Sequence, residues 1–222
     1  FHELRTIFER IDLCDDITLR MRKDGAVKVV CTNPQVPKGP SNIVVKAAEL
    51  LRKDFNISQG VTIVIRKRIP VAAGLAGGSS NGAAVLVGLN RLWQLGLSQQ
   101  QLVAYAARLG SDLAFFIYNT SFALGEGRGE RIKCLPIKHK LWHVLVTPRF
   151  KMLTRDVFAR FNLALTNKGD NVNILLPYLR RNLPSSIGPR LANDLEGAIL
   201  SLRPDFKQLK IKLLHAGACG VC

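Results

Sequence analysis

No hydrophobic run in this chain reaches the ~18 residues that a bilayer-spanning helix needs, which excludes a membrane-embedded helix and a membrane partner from the expectations. Internal repeats and low-complexity tracts are absent too, setting aside solenoids and disordered linkers. At 47% hydrophobic and 22% charged the composition is that of a globular protein, and 222 residues suffice for one large domain or two modest ones. Acidic residues are few: 16 Asp and Glu face 32 Lys and Arg, for a formal net charge of +16. That balance suits a nucleic acid, and it suits equally a nucleotide with a second phosphorylated substrate. The basic residues are scattered rather than gathered in one tract or interleaved with aromatics, so charge alone does not choose.

Cysteine offers no framework either. Of the five, at positions 14, 31, 134, 219 and 222, only Cys219 and Cys222 have motif spacing. One such pair is too few ligands for a structural zinc, and a redox dithiol wants a helix after it. Ordinary buried or part-buried thiols in a reducing compartment are expected, and nothing near Phe1 resembles a signal peptide, so a cytoplasmic location is the default.

The two familiar glycine-rich phosphate loops are also missing. A P-loop needs Lys after its last glycine, and no Lys lies between Pro70 and Arg91. A dinucleotide fingerprint needs Gly-x-Gly-x-x-Gly with an acidic residue about 20 positions on. Here Gly74, Gly77 and Gly78 have another spacing, and the first acid after them is Asp112. What stands instead is Pro70-Val71-Ala72-Ala73-Gly74-Leu75-Ala76-Gly77-Gly78-Ser79-Ser80-Asn81, after a strand-like run (61–65) and before a helix-like one (83–93). Tiny residues between a strand and a helix N-terminus let backbone N–H groups and the positive dipole end meet an anion. Ser79 and Ser80 add hydroxyls for phosphate oxygens or Mg²⁺. The plain alternative is a small-residue turn with a helix packed tightly on a sheet.

Around this loop the pattern is mixed. Runs at 17–21 and 27–31 flank Asp24-Gly25 and predict a hairpin. Ser41 is placed to cap a helix with Val44, Ala47, Ala48 and Leu51 on one face. Ser98-x-x-Gln101 predicts a capping box, Leu102, Ala106 and Leu109 a stripe, and Gly110 a stop. Residues 115–117 and 142–147 read as strands, 125–130 as a glycine turn, and 156–165, 172–179, 195–202 and 206–215 as helices, the last stopped by Gly217. The stretch 168–190 is expected to be partly loop. Strands and helices without strict alternation predict an α+β fold, with domains at 1–138 and 139–222.

Pro-x-x-Ala-Gly-Leu-x-Gly-Gly-Ser-Ser-Asn, followed by Leu89-Asn90-x-Leu92-Trp93, Gly96-Leu97-Ser98 and Leu109-Gly110-Ser111-Asp112, resembles the GHMP family of small-molecule kinases. Phe1-His2-Glu3-Leu4, Ile11-Asp12-Leu13, Asn42-Ile43-Val44, Gly125-x-Gly127-Arg128-Gly129-Glu130 and Asn193-Asp194-Leu195-Glu196 resemble the members that act on a cytidine-diphosphate-linked methylerythritol in the non-mevalonate isoprenoid pathway. The resemblance covers nearly the whole chain. It implies a two-domain architecture, with an N-terminal β-α-β nucleotide-binding domain and a smaller ferredoxin-like α+β domain. It implies ATP with Mg²⁺, and the cytidyl compound as acceptor.

The roles it implies attach to particular residues. Residues 70–81 would hold the triphosphate, with Asn42, Ile43 and Lys67 near adenine. Asp112 would be the catalytic carboxylate, although an Asp after Gly110-Ser111 also suits capping the next element. Phe1 would stack on cytosine with His2 on its polar edge, and Asn193 would face the substrate. Asn42 and Asn193 equally suit N-capping. Ala72 and Ala76 stand where the family commonly has glycine, which implies a tighter or displaced cradle. The family's catalytic Lys segment, Pro-Ala-Lys-Ile-Asn-Leu, would precede Phe1, and residues 213–218 look like the lead-in to its Ser-Gly-Ser-Gly motif. The expectation is the middle of a longer protein that binds nucleotide weakly by itself. A mevalonate- or homoserine-type kinase is the near alternative, which Phe1-His2 disfavours. A basic nucleic-acid-binding module is the distant one, since a related β-α-β unit occurs in a ribosomal protein; no nucleic acid is the expectation here. Oligomeric state is not legible.

Overall fold

Every second residue of strand β4 (Gly60–Arg66) is shut away from water, with Val61 and Ile63 at 0% exposure and Ile65 at 2%. A strand apolar on this scale belongs in the middle of a sheet, and it lies there. The computed structural model describes residues 5–148, 154–161 and 171–222, in two units, Phe1–Pro136 and Ile137–Cys222. In the first unit β4 is flanked by β2 (Asp16–Arg22), antiparallel to it, and by β3 (Val27–Cys31), parallel to it.

The hairpin expected from Asp24-Gly25 is therefore not a paired hairpin. The turn itself forms, with Gly25 at φ +67° and Arg22 bonded to the Asp24 carboxylate, but its strands splay to admit β4 between them. Val61 N–H donates to the Ala26 carbonyl at 3.0 Å, and a Cβ on Gly60 would fall 2.1 Å from that oxygen. A turn signal is local; it says nothing of a third strand arriving later in the chain.

Helix α1 (Ile43–Asp54) crosses from β3 to β4 and buries the expected stripe, Val44, Ala47, Ala48 and Leu51 all at 0% exposure. Its cap is Asn42 rather than Ser41: the Asn42 side chain accepts from Val44 N–H at 3.1 Å. Helix α2 (Gly77–Leu92) begins well before the expected start and lies against β2. Helix α3 (Gln99–Leu109) carries the capping box in full, with Leu102 and Ala106 buried and Gly110 at its end.

The strand expected at 115–117 is instead helix α4 (Leu113–Tyr118), which buries Leu113, Ala114, Phe115 and Ile117. A short run apolar on all sides has no period to separate helix from strand, and here contacts with α2 and α3 decide. A second sheet of β1 (Thr6–Glu9), β5 (Phe122–Glu126) and β6 (Arg131–Leu135), antiparallel throughout, meets α4 through stacked Phe8 and Phe115 rings 5.2 Å apart. The turn expected at 125–130 joins β5 to β6, with Gly127 and Gly129 at positive φ.

The second unit, among the described residues, is helical: α5 (Thr154–Ala159), α6 (Asn171–Arg181), α7 (Pro184–Ile187), α8 (Glu196–Leu202) and α9 (Asp205–His215). The expected 172–179, 195–202 and 206–215 helices are present, and 156–165 starts as α5 before passing outside the described residues. Past α9, Gly217 at φ +98° donates to Leu214 O and Ala218 to Leu213 O, the paired closure that a left-handed residue permits. The strand expected at 142–147 does not form. No strand pairs with it among the described residues, and its Trp142 is fully exposed.

All five cysteines are free, and only Cys31 is buried; Cys14, Cys219 and Cys222 lie in loops and Cys134 on β6, exposed against expectation. Among the described residues no helix is long and apolar enough to cross a membrane.

Candidate active site

β4 ends at Arg66 and α2 starts at Gly77; the segment between them folds around a cavity of about 290 Å³, near the lower edge of the range for small-molecule sites. Pro70, Ala72, Ala73, Gly74, Leu75, Ala76, Gly77, Gly78, Asn81, Asn42 and Lys67 all line it, together with Gln35, Val36 and Pro37 from the loop before α1. The loop turns on residues of left-handed backbone at 72, 74 and 76, with φ of +59°, +73° and +50°. Two of the three are Ala72 and Ala76, where the resemblance implies glycine. They keep the conformation a glycine adopts freely, at the steric expense of a Cβ.

The N-cap of α2 is Ala76, which has no side chain to offer, and the first helical bond runs from Ser80 N–H to Ala76 O at 2.9 Å. The N–H groups of Gly77, Gly78 and Ser79 therefore precede the helical ladder with no side-chain cap, at the positive end of a 16-residue helix. Ser80 donates its hydroxyl to Gly77 O at 2.9 Å, back into the helix. Ser79 makes no such bond.

Asp112 occupies the N-cap position of α4 without capping it by its side chain; among the described residues its carboxylate accepts one hydrogen bond, from Ser111 Oγ at 3.3 Å. The capping role thus falls away, and the carboxylate is left uncommitted to its own helix. Leu113 next to it packs against α2, its Cδ2 lying 3.0 Å from where a Cβ on Gly82 would be. Ile43 reaches the same Gly82 from α1 and serves to pack it. Asn42 caps α1 and donates to Pro37 O at 2.5 Å, and it also lines the cavity. Asn193 lies in the second unit, exposed, its Oδ1 accepting from Leu195 N–H at 3.0 Å just before α8. Phe1 and His2 lie outside the described residues.

One central residue escapes the sequence reading. Asp15, at the entry to β2, has a side chain at 0% exposure that accepts four hydrogen bonds. Oδ1 takes the backbone N–H groups of Arg68 (2.7 Å) and Ile69 (2.9 Å); Oδ2 takes Lys67 Nζ (2.7 Å) and Asn81 Nδ2 (2.9 Å). Burial by itself would raise its pKa, but these four donors outweigh it and hold the carboxyl below its usual range. Its partners lie 52 to 66 positions away in the chain, so no local pattern marks it.

Residues 42–120 match the model of the GHMP kinase N-terminal domain. The whole chain is 40% identical over 221 residues to a 4-diphosphocytidyl-2-C-methyl-D-erythritol kinase of Shouchella clausii, covering 74% of that protein. The chain belongs to the GHMP kinase family. An equally named protein of Gloeobacter violaceus is 40% identical over 225 residues, with 99% of this chain and 74% of that one covered. Among solved structures, a 4-(cytidine 5'-diphospho)-2C-methyl-D-erythritol kinase superposes on all of this GHMP kinase and 80% of its own length, at TM-score 0.76 and 28% identity. A mevalonate kinase from L. major reaches TM-score 0.70 at 14% identity, over 99% of this chain and 76% of that one, and so bears on the fold alone. The α+β architecture is that of the GHMP kinases.

Proposed function

We propose that this kinase moves the γ-phosphoryl group of ATP to a hydroxyl of 4-diphosphocytidyl-2-C-methyl-D-erythritol, in isoprenoid precursor synthesis. The observation that carries the reading is similarity along this whole chain to proteins of that name, joined to an uncapped helix terminus over a cavity lined by the family's loop. The loop at 70–81 receives the phosphates through the backbone N–H groups that follow Pro70, which need no reorganisation when charge builds on the transferring group. In this reading Lys67 and Asn42, both on the cavity wall, take the base end of the nucleotide. Asp112 accepts the acceptor hydroxyl's proton as the new O–P bond forms and the bond to the ADP oxygen breaks. Phe1 and His2 take the cytosine end, and Asn193 faces the same substrate.

Among the described residues no three His, Cys, Asp or Glu side chains cluster to hold a metal alone. Mg²⁺ would come as a companion of the nucleotide and neutralise phosphate charge; Ser79, whose hydroxyl is not tied back into α2 as that of Ser80 is, would be the one to meet it. The same reading sets the chain in the cytoplasm, where its free thiols stay reduced.

The test is ADP release by the full-length protein with the cytidyl substrate, mevalonate and homoserine in parallel. Turnover with the first alone is expected. Turnover confined to either of the others would overturn the assignment. Asp112→Asn should lower kcat by roughly 10²–10⁴-fold with little change in ATP binding; a variant that keeps most of its kcat removes Asp112 from the base role.

A further inference from the structure

The kinase chemistry above makes no use of Asp15, yet no other described carboxylate makes so many bonds at the loop. Its four bonds fill the acceptor capacity of a carboxylate. They also divide by place. One oxygen holds backbone N–H groups where the chain leaves β4; the other holds Lys67 before the loop and Asn81 beyond it, in the second turn of α2. The phosphate loop runs between those anchor points. Lys67 Nζ lies 3.2 Å from where a Cβ on Gly77 would be, so the ammonium sits against the first residue of the helix, at 7% side-chain exposure.

We propose that Asp15 is a positioning residue for the nucleotide: it fixes the separation of the loop's two ends and holds the Lys67 ammonium at the cavity wall. The inference rests on the kinase reading. A cation beside the positive end of a helix is unfavourable unless a counter-charge stands with it, and Asp15 supplies that charge from the sheet side. The ammonium keeps two further donors, and Asn81 is held on the cavity wall by the same oxygen. Both ends of the loop then keep one spacing whether or not nucleotide is present, which lowers the ordering penalty on binding.

The experiment measures binding of a non-hydrolysable ATP analogue by calorimetry, with melting temperature and steady-state kinetics, for the full-length wild type, Asp15→Asn, Asn81→Ala and the double variant. Asp15→Asn should weaken nucleotide binding and raise KM for ATP by roughly tenfold or more, since hydrogen bonds to a charged group are lost. KM for the acceptor should stay within about twofold, because the acceptor does not depend on the loop spacing. The double variant should bind no worse than about twofold beyond Asp15→Asn, because both changes act through one carboxylate.

A folded Asp15→Asn protein that binds nucleotide like the wild type would overturn the inference. So would strictly additive single effects, or a fall in activity that tracks the folded fraction with KM values unchanged. Should Asp15→Asn fail to fold, Asn81→Ala decides, since it deletes one bond of the four: an unchanged KM for ATP overturns the proposal. A wild-type protein that binds no nucleotide overturns the kinase reading itself, and this inference with it.

Discussion

Ala72, Gly74 and Ala76 all hold positive φ and differ by one methyl group, which makes the loop a controlled comparison over five residues. A Cβ in left-handed backbone is strained by ~1 kcal/mol or more, while glycine gives part of that back as unfolded-state entropy. Ala76→Gly should therefore leave stability unchanged or raise it slightly. Gly74→Ala, at φ +73° with nothing within 4 Å of the added methyl, should destabilise by ~1 kcal/mol through backbone strain alone. Urea midpoints of the two variants check this; equal and same-signed shifts would refute it. A second expectation at this scale concerns acid. The folded-state pKa of Asp15 lies below its ordinary 3.8, so ionisation favours the native state. That contribution is complete above the ordinary value and disappears as pH falls through the lower, folded one. Between pH 5 and 3 the wild type should lose stability more steeply than Asp15→Asn, read as the slope of the urea midpoint against pH.

At the scale of elements, local chemistry and distant packing separate cleanly. Ser98→Ala breaks a reciprocal cap remote from the cavity and should remove ~1 kcal/mol of stability with kcat unchanged. A loss of activity at full stability would count against that. The capping box, the α1 stripe and the loop were all legible because each is written within a dozen neighbouring residues and obeys a helical period or a small-residue rule. The splayed turn at Asp24-Gly25 was not, because β4 enters it from more than thirty positions later. α4 reads as a strand from sequence because Phe115, Phe116 and Ile117 are apolar without alternation, so only their neighbours in space tell helix from strand. Asp15 was invisible for the first reason: Lys67, Arg68, Ile69 and Asn81 converge on it only once the sheet is built. In the second unit the helical periods were readable, whereas the run 142–147 has strand chemistry and no strand beside it among the described residues.

The charge of +16 belongs to the whole molecule rather than to the cavity. It should draw nucleic acid non-specifically at low ionic strength, and that binding should weaken by roughly 10³-fold between 50 and 200 mM salt if several phosphates are met. The KM for ATP, set by fixed N–H donors in a cavity, should move far less over the same range. Nucleic-acid affinity that survives the higher salt would reopen the distant alternative of a polynucleotide-binding module.

The order of strands has a kinetic consequence. β4 is the last of its three strands to be synthesised and the one both others need: Ile17 and Cys31 meet the same Ile65 from opposite sides. The sheet cannot begin as a hairpin and zip outward; it must wait for a remote segment to close the loop, and such topologies fold slowly. Ile63→Val should accordingly show much of its lost stability as slower refolding, while Leu102→Ala in α3 should mainly hasten unfolding. Because the phosphate loop is the direct continuation of β4, competence to hold a nucleotide arrives in one late event, when that strand slots home, and is not accumulated along the way.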